Sequence, residues 1–258
     1  MQDPHSLTIV IVAKNEERNI ADCVASASFA DEVLVLDCGS TDQSVRIARE
    51  AGARVVETDW PGYGPQVARG FGMAQGTWVM SLDADERISA RLRDELQTAL
   101  RSGAHAGYRV PRHSEFCGRF IRHGGWRPDH TLRVGLRAKS GFTDHFLHAH
   151  MTVDGSLGTL SSSLIHFSYP NLHDVLEKLD RYSSGHARDM QSRGKTGGIG
   201  KGVVHGLIAF LRAYVWRLGF LDGGHGLMLA IYNAEYTYYK YLKLMFLQAP
   251  PRRPEPPE

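Results

Sequence analysis

The chain has 258 residues, 42% of them hydrophobic and 22% charged, with a formal net charge of +2. That composition excludes a disordered or fibrous chain and allows a sizeable core, one main domain with an appendage. The near balance of charge gives no electrostatic case for nucleic acid, and Cys23, Cys38 and Cys117, without a Cys-x-x-Cys pair, suggest neither a disulfide framework nor a structural zinc site.

A reducing cytoplasm is the expected setting, because the polar residues 1–6 give way directly to a strand-like run with no apolar signal segment. Residues 7–12 are apolar and β-branched, as in a parallel strand covered on both faces. Asn15 is placed to cap the following helix, with Glu16 and Glu17 in its first turn near the positive dipole end, and the helix should run to about residue 28. Residues 33–36 repeat the strand pattern. Ser40-Thr41-Asp42-Gln43 offers a capping box for a second helix through Arg49. Residues 54–57 read as a third strand, the Gly- and Pro-containing stretch 60–65 as a loop, 66–73 as a helix and 77–82 as a strand. Units of this kind imply right-handed crossovers and a mostly parallel α/β sheet with helices on both faces.

Ser89 should start another helix with Leu92, Leu96 and Leu100 on its core side. From 107 to 166 the sequence becomes strand-like and irregular, rich in Gly, His and Arg, as expected of a mixed sheet edge with functional loops. Residues 172–191 read as a polar helix and 193–201 as a basic, flexible stretch. Two aromatic-rich segments follow, 203–221 and 227–247, and the Pro-rich tail 250–258 is expected to be disordered. The expected domains are 1–168, 169–249 and the tail.

Arg212, Arg217, Glu235, Lys240 and Lys243 argue against these last segments spanning a bilayer. An interfacial pair fits better, with Phe210, Trp216, Phe220, Tyr239 and Phe246 entering the boundary layer while the basic residues meet headgroups. Intramolecular packing or a dimer face is the alternative.

The acidic turn Asp83-Ala84-Asp85-Glu86 closes the strand at 77–82. Carboxylates two apart at a strand end can share a hard divalent cation that in turn holds a diphosphate, although the same tripeptide also occurs in solvated turns. Three segments then fall in order: Leu7-Thr8-Ile9-Val10-Ile11-Val12-Ala13-Lys14-Asn15-Glu16-Glu17, Leu36-Asp37-Cys38-Gly39-Ser40-Thr41-Asp42 and Leu82-Asp83-Ala84-Asp85-Glu86. Together they resemble family 2 glycosyltransferases of the GT-A fold. His123-Gly124-Gly125-Trp126-Arg127-Pro128-Asp129, followed by Leu132-Arg133, and Phe220-Leu221-Asp222-Gly223 are similar to the branch containing lipopolysaccharide core β-glucosyltransferases.

The resemblance implies an inverting, metal-dependent transfer of a hexose, with UDP-glucose the leading donor, to a saccharide or glycolipid acceptor at the inner face of the cytoplasmic membrane. It implies a donor pocket bordered by Ala13, Asn15 and Glu16, with Asp37 on the base or ribose and Asp83 against ribose and metal. Arg119, Arg122, Arg127 and Arg133 cluster in sequence around the acceptor loop, where guanidinium groups suit phosphates on the donor or on an anionic glycolipid, and Arg133 is the one assigned to the donor. Asp85 would ligate Mg²⁺ or Mn²⁺, with His148 as a further metal ligand. Asp129 is the first candidate for the acceptor-side base and Asp144 a second; Asp129 could instead pair with Arg133. Trp126 and Arg127 are the acceptor candidates, Arg119 and Arg122 lying nearby in sequence. Relatives usually carry a His-Glu pair where this chain has His148-Ala149, which keeps a catalytically impaired binding protein among the alternatives. A sugar transferase acting on polyprenyl phosphate is another. A dinucleotide-dependent oxidoreductase is disfavoured, since no Gly-x-Gly-x-x-Gly follows the first strand.

Overall fold

A computed structural model describes residues 3–143 and 150–249. Asp144, His148 and Ala149, and the tail 250–258, lie outside the described residues. The chain divides into two compact units, residues 1–114 with 128–167, and residues 115–127 with 168–258. The second unit thus takes in 115–127, a segment that a sequence boundary at 168 leaves with the sheet.

The first unit is built on β1 (Leu7–Ala13), β2 (Glu32–Asp37), β3 (Arg54–Glu57), β4 (Trp78–Asp83), β5 (Glu86–Ile88), β6 (Gly107–Phe116), β8 (Asp129–Leu136) and β12 (Leu164–Tyr169). Their order in the sheet is β3-β2-β1-β4-β8-β6-β12-β5, with β11 (Leu157–Thr159) also beside β6, while β9 (Ser140–Phe142) and β10 (Met151–Val153) form a separate two-stranded sheet. The pairs β3/β2, β2/β1 and β1/β4 are parallel, and antiparallel pairing begins at β4/β8. The expected parallel α/β half and mixed edge therefore meet at β4, the strand that carries the acidic turn.

Burial of β1 on both faces explains its unbroken apolar text. Ile9 and Ile11 belong to the core that holds Ile20 and Val24 of α1 (Ile20–Ala27) and Leu92, Leu96 and Leu100 of α4 (Ala90–Ser102). Val10 joins Leu34 and Leu36 in a second core with Val67 and Phe71 of α3 (Tyr63–Met73). Ser89 caps α4 as expected, its side chain accepting from the Leu92 N–H at 3.2 Å, a bond worth about 1 kcal/mol.

Two helix starts depart from the sequence reading. Asn15 has a φ of +56° and does not cap α1, whose N-cap is Asn19. Asn15 is drawn across to the next loop instead: its N–H donates to Ser40 Oγ at 2.8 Å and its Oδ1 accepts from the Thr41 N–H at 2.8 Å. Those bonds also use up Ser40, so the capping box at 40–43 does not form. Asp42 turns on itself, Oδ1 accepting from Ser44 N–H at 3.0 Å and Ser44 Oγ at 2.6 Å, and α2 (Ser44–Glu50) has its N-cap at Gln43, three residues later than Ser40. In both cases a loop-to-loop tertiary contact outcompeted a local cap.

The second unit holds β7 (Arg119–Phe120), α5 (Leu172–Ser192), α6 (Ile199–Leu211) and α7 (Gly223–Gln248), with a π-helical turn at Arg212–Trp216 and a 3₁₀ turn at Gly219–Asp222. The stretch expected to be flexible to residue 201 is already helical from Ile199. The aromatic core of this unit sets Phe116, Ile121, Val175, Leu179, Leu229 and Tyr232 together.

Candidate active site

Parallel register brings the candidate carboxylates to one end of the sheet. Ala13 pairs with Asp37, and Val12 with Asp83, so Asp37 and Asp83 close strands on either side of β1. In an open α/β sheet this carboxyl end is where the ligand crevice lies. Ala13 contributes backbone: its carbonyl accepts the Cys38 N–H at 2.9 Å. Asn15 and Glu16 tie the loop after β1 to the loop after β2, the Glu16 N–H donating to Ser44 Oγ at 2.7 Å and Glu16 Oε2 accepting from Asn19 at 2.9 Å.

Asp37 is 2% exposed. Its Oδ2 accepts the N–H groups of Gly39 at 3.1 Å and Ser40 at 3.0 Å, whereas Oδ1 is buried with no hydrogen-bond partner among the described residues. A buried carboxylate oxygen left unpaired costs more than about 1–3 kcal/mol, so this atom is suited to a ligand N–H or O–H.

The acidic turn splits into three different roles. Asp83 has both oxygens engaged: Tyr63 donates to Oδ1, and Arg133 Nη2 donates to Oδ2 at 2.7 Å. Glu86 is fully buried, with Arg133 Nη2 at 2.6 Å from Oε1 and the Asp83 N–H at 3.1 Å from Oε2. Burial alone would raise the Asp83 carboxyl, but the Arg133 guanidinium and the bonds from Arg133 and Tyr63 outweigh it and hold it well below the usual carboxylate range. Glu86 goes the other way, pushed up by burial and by the Asp83 charge against the pull of Arg133. The Tyr63 hydroxyl is likewise raised well above its ordinary value by burial and by Asp83. Asp85 stands apart from this network; its Oδ2 lies 3.5 Å from His166 Nε2, and His166 Nδ1 is 3.0 Å from Ser114 Oγ.

Asp129 pairs with Arg112 rather than with Arg133. Arg112 reaches Asp129 Oδ2 through Nη2 at 2.6 Å and Nε at 2.8 Å, and its Nη1 lies 3.8 Å from Glu86 Oε1. Arg133 is already buried between Asp83 and Glu86, on β8. Trp126 and Arg127 belong to the helical unit, where Trp126 packs edge-on against Phe116 with centroids 5.6 Å apart and tilted against Tyr169 at 5.5 Å. Asp144 and His148 fall outside the described residues.

Among the described residues no three His, Cys, Asp or Glu side chains converge as a ready-made metal cage. Asp85 with His166 is still a fitting donor pair, because Mg²⁺ and Mn²⁺ in phosphate-handling sites take one or two protein ligands and fill the rest with phosphate oxygens and water. Tyr63, Arg112 and His166 are the partners that sequence reading passed over. Only His166 carries a local signal, an imidazole inside a strand-like run.

The Glycosyl transferase family 2 model matches residues 8–153. The lipopolysaccharide core biosynthesis glycosyltransferase LpsC of Rhizobium meliloti is 27% identical over 250 residues, 91% of this chain and 93% of that protein. An uncharacterized glycosyltransferase of Rickettsia typhi is also 27% identical, over 92% of this chain and 86% of its own length. Among solved structures, glucosyl-3-phosphoglycerate synthase from Mycobacterium tuberculosis, in complex with Mn²⁺, UDP and glucosyl-3-phosphoglycerate, is 29% identical over 43% of this chain and 44% of that one, with a TM-score of 0.37. The family match runs from β1 through the acidic turn to residue 153, more than half of the chain, and the protein is a glycosyltransferase of family 2.

Proposed function

We propose that the protein moves a hexose, with UDP-glucose the leading donor, onto a lipopolysaccharide-core or lipid-linked saccharide with inversion at the anomeric carbon. The observation that carries this reading is the carboxyl end of the parallel strands, where Asp37, with a buried oxygen unpartnered among the described residues, and Asp83, with the acidic turn, close the strands on either side of β1. The core-saccharide acceptor is supported by the similarity to LpsC over nearly its whole length.

In this reading Asp37 Oδ1 accepts from the nucleoside. Asp83, kept ionised by Arg133 and oriented by Tyr63, faces the ribose. Asp85, with His166 or the expected His148, would hold Mg²⁺ or Mn²⁺, which supplies charge neutralisation for the departing nucleoside diphosphate. Asp129, fixed by Arg112, takes the proton of the attacking hydroxyl as that oxygen bonds to the anomeric carbon and the bond to the diphosphate breaks.

Calorimetry with UDP-glucose and with UDP, in the presence and absence of Mn²⁺, tests the donor site. Binding that requires Mn²⁺ and disappears in Asp85→Ala is the expected result. Absence of nucleotide binding with the metal present would overturn the reading.

A further inference from the structure

The helical unit leaves an unusual amount of large apolar surface uncovered. Along α6, Ile199, Val203 and Leu207 recur at four-residue spacing and are 54–59% exposed, and Trp216, Phe220 and Leu221 continue the surface past the π-helical turn at 66%, 46% and 54% exposure. The buried residues of α6 are Gly202 and Gly206. A Cβ on Gly202 would sit 3.0 Å from the Tyr238 ring, and one on Gly206 3.1 Å from the Ala234 carbonyl, so two small residues let α6 press directly onto α7. The bulky side chains of Ile199, Val203 and Leu207 lie outside that contact and stay exposed.

The charge of this segment has one sign. Between Asp189 and Asp222 the sequence contains Arg193, Lys195, Lys201, Arg212 and Arg217 and no Asp or Glu. All five cations are exposed. Asp222 itself is buried, with Oδ2 accepting the N–H groups of Arg122 at 3.1 Å and His123 at 2.7 Å. Arg193 is paired with Asp189 at 2.9 Å, but a two-fold contact with a second copy would set this patch against itself and bring Lys195, Lys201, Arg212 and Arg217 together with no acid of the segment between them. An anionic lipid surface meets both features, since acyl chains take the apolar side chains and headgroup phosphates take the Arg and Lys. Among the described residues no single helix is long and apolar enough to cross a membrane; α6 with its π turn and α7 with its 3₁₀ turn pass such a test only together, with a 69° bend between them.

The same turn holds the 123–126 loop. The Gly124 N–H donates to the Arg217 carbonyl at 2.8 Å, and Gly125, at a φ of +90°, leaves so little room that a Cβ would lie 2.2 Å from Arg217 Nη1. With the Asp222 bonds, this fastens the loop to the segment bearing Trp216 and Phe220.

We infer that the face formed by α6 and the turns at 212–222 docks onto an anionic bilayer surface, and that it holds the loop carrying Trp126 and Arg127 at that surface. The second part rests on the reading of those two residues as acceptor contacts. Flotation of the full chain tests the docking, using vesicles of phosphatidylcholine alone and of phosphatidylcholine mixed with phosphatidylglycerol. The expected result is binding to the mixed vesicles, at least about tenfold weaker on phosphatidylcholine alone. Trp216→Glu/Leu221→Glu should abolish it, and Lys201→Glu/Arg212→Glu, which leaves the apolar side chains intact, should remove the preference for phosphatidylglycerol. Both variants should retain the wild-type UDP calorimetry and circular dichroism, which separates loss of docking from loss of the donor site or of the fold. Indifference of the wild-type chain to both vesicles overturns the inference, as does a dimer in light scattering that the apolar double variant dissociates.

Discussion

The two units treat polar and apolar side chains in opposite ways. In the sheet unit the apolar residues of β1, β2 and β4 are sealed, and among the described residues only Trp60 and Met73 are exposed large hydrophobics. Its buried Arg133 is compensated in place, lying between Asp83 and Glu86. The helical unit buries few charges and turns Ile199, Val203, Leu207 and Trp216 to the outside. The difference separates two kinds of work. A chemical site needs charges held in fixed geometry inside low-dielectric surroundings, whereas an adhesive face needs apolar area kept away from its own core.

Substitutions can sharpen or break that contrast. Arg133→Met should have the largest effect on stability, about 3–5 kcal/mol in urea unfolding, because it strands two carboxylates in the interior. A loss below about 1 kcal/mol would mean that Asp83 and Glu86 find water or another cation. Asp85→Ala should leave unfolding nearly unchanged while lowering sugar transfer on the order of 10²-fold, a gap visible by comparing turnover with melting curves. In the helical unit Gly226→Ala should destabilise by about 1–3 kcal/mol, since a Cβ there would be 1.8 Å from the Gly219 carbonyl oxygen.

Acidification gives a smaller, signed effect. The Asp83 carboxyl is depressed in the folded protein, so its contribution is present above the unfolded value near about 4 and is lost as pH falls below it. Glu86, raised by burial, contributes in the reverse sense and loses stability as pH rises through the carboxylate range. Asp83→Asn should therefore flatten the acid limb of the unfolding curve, which chemical denaturation at stepped pH would read. Val203→Ser should move stability least, within about 0.5 kcal/mol, because the side chain is already outside.

Several elements were readable from residue order alone. The run at 7–12, the strand at 54–57 and the Leu92, Leu96, Leu100 stripe carry their own periodicity, and each forms where the pattern put it. The three ordered motifs also mark the family in the sequence alone. Helix starts were less legible. Asn15 and Ser40 have good capping chemistry, but Asn15 Oδ1 spends it on the Thr41 N–H, 26 residues on, and Ser40 Oγ on the Asn15 N–H, 25 residues back.

The amino-acid sequence by itself determined the α/β alternation, the family and the positions of Asp37, Asp83 and Asp85 at strand ends, because strand burial and motif order are local properties. Only the tertiary structure decided what each acid does. Arg133 reaches Asp83 across 50 residues and Glu86 across 47, while Arg112 takes Asp129 and His166 approaches Asp85. Such pairings depend on which strands lie side by side in the sheet, and a carboxylate's chemistry follows from the charge and burial that those neighbours impose.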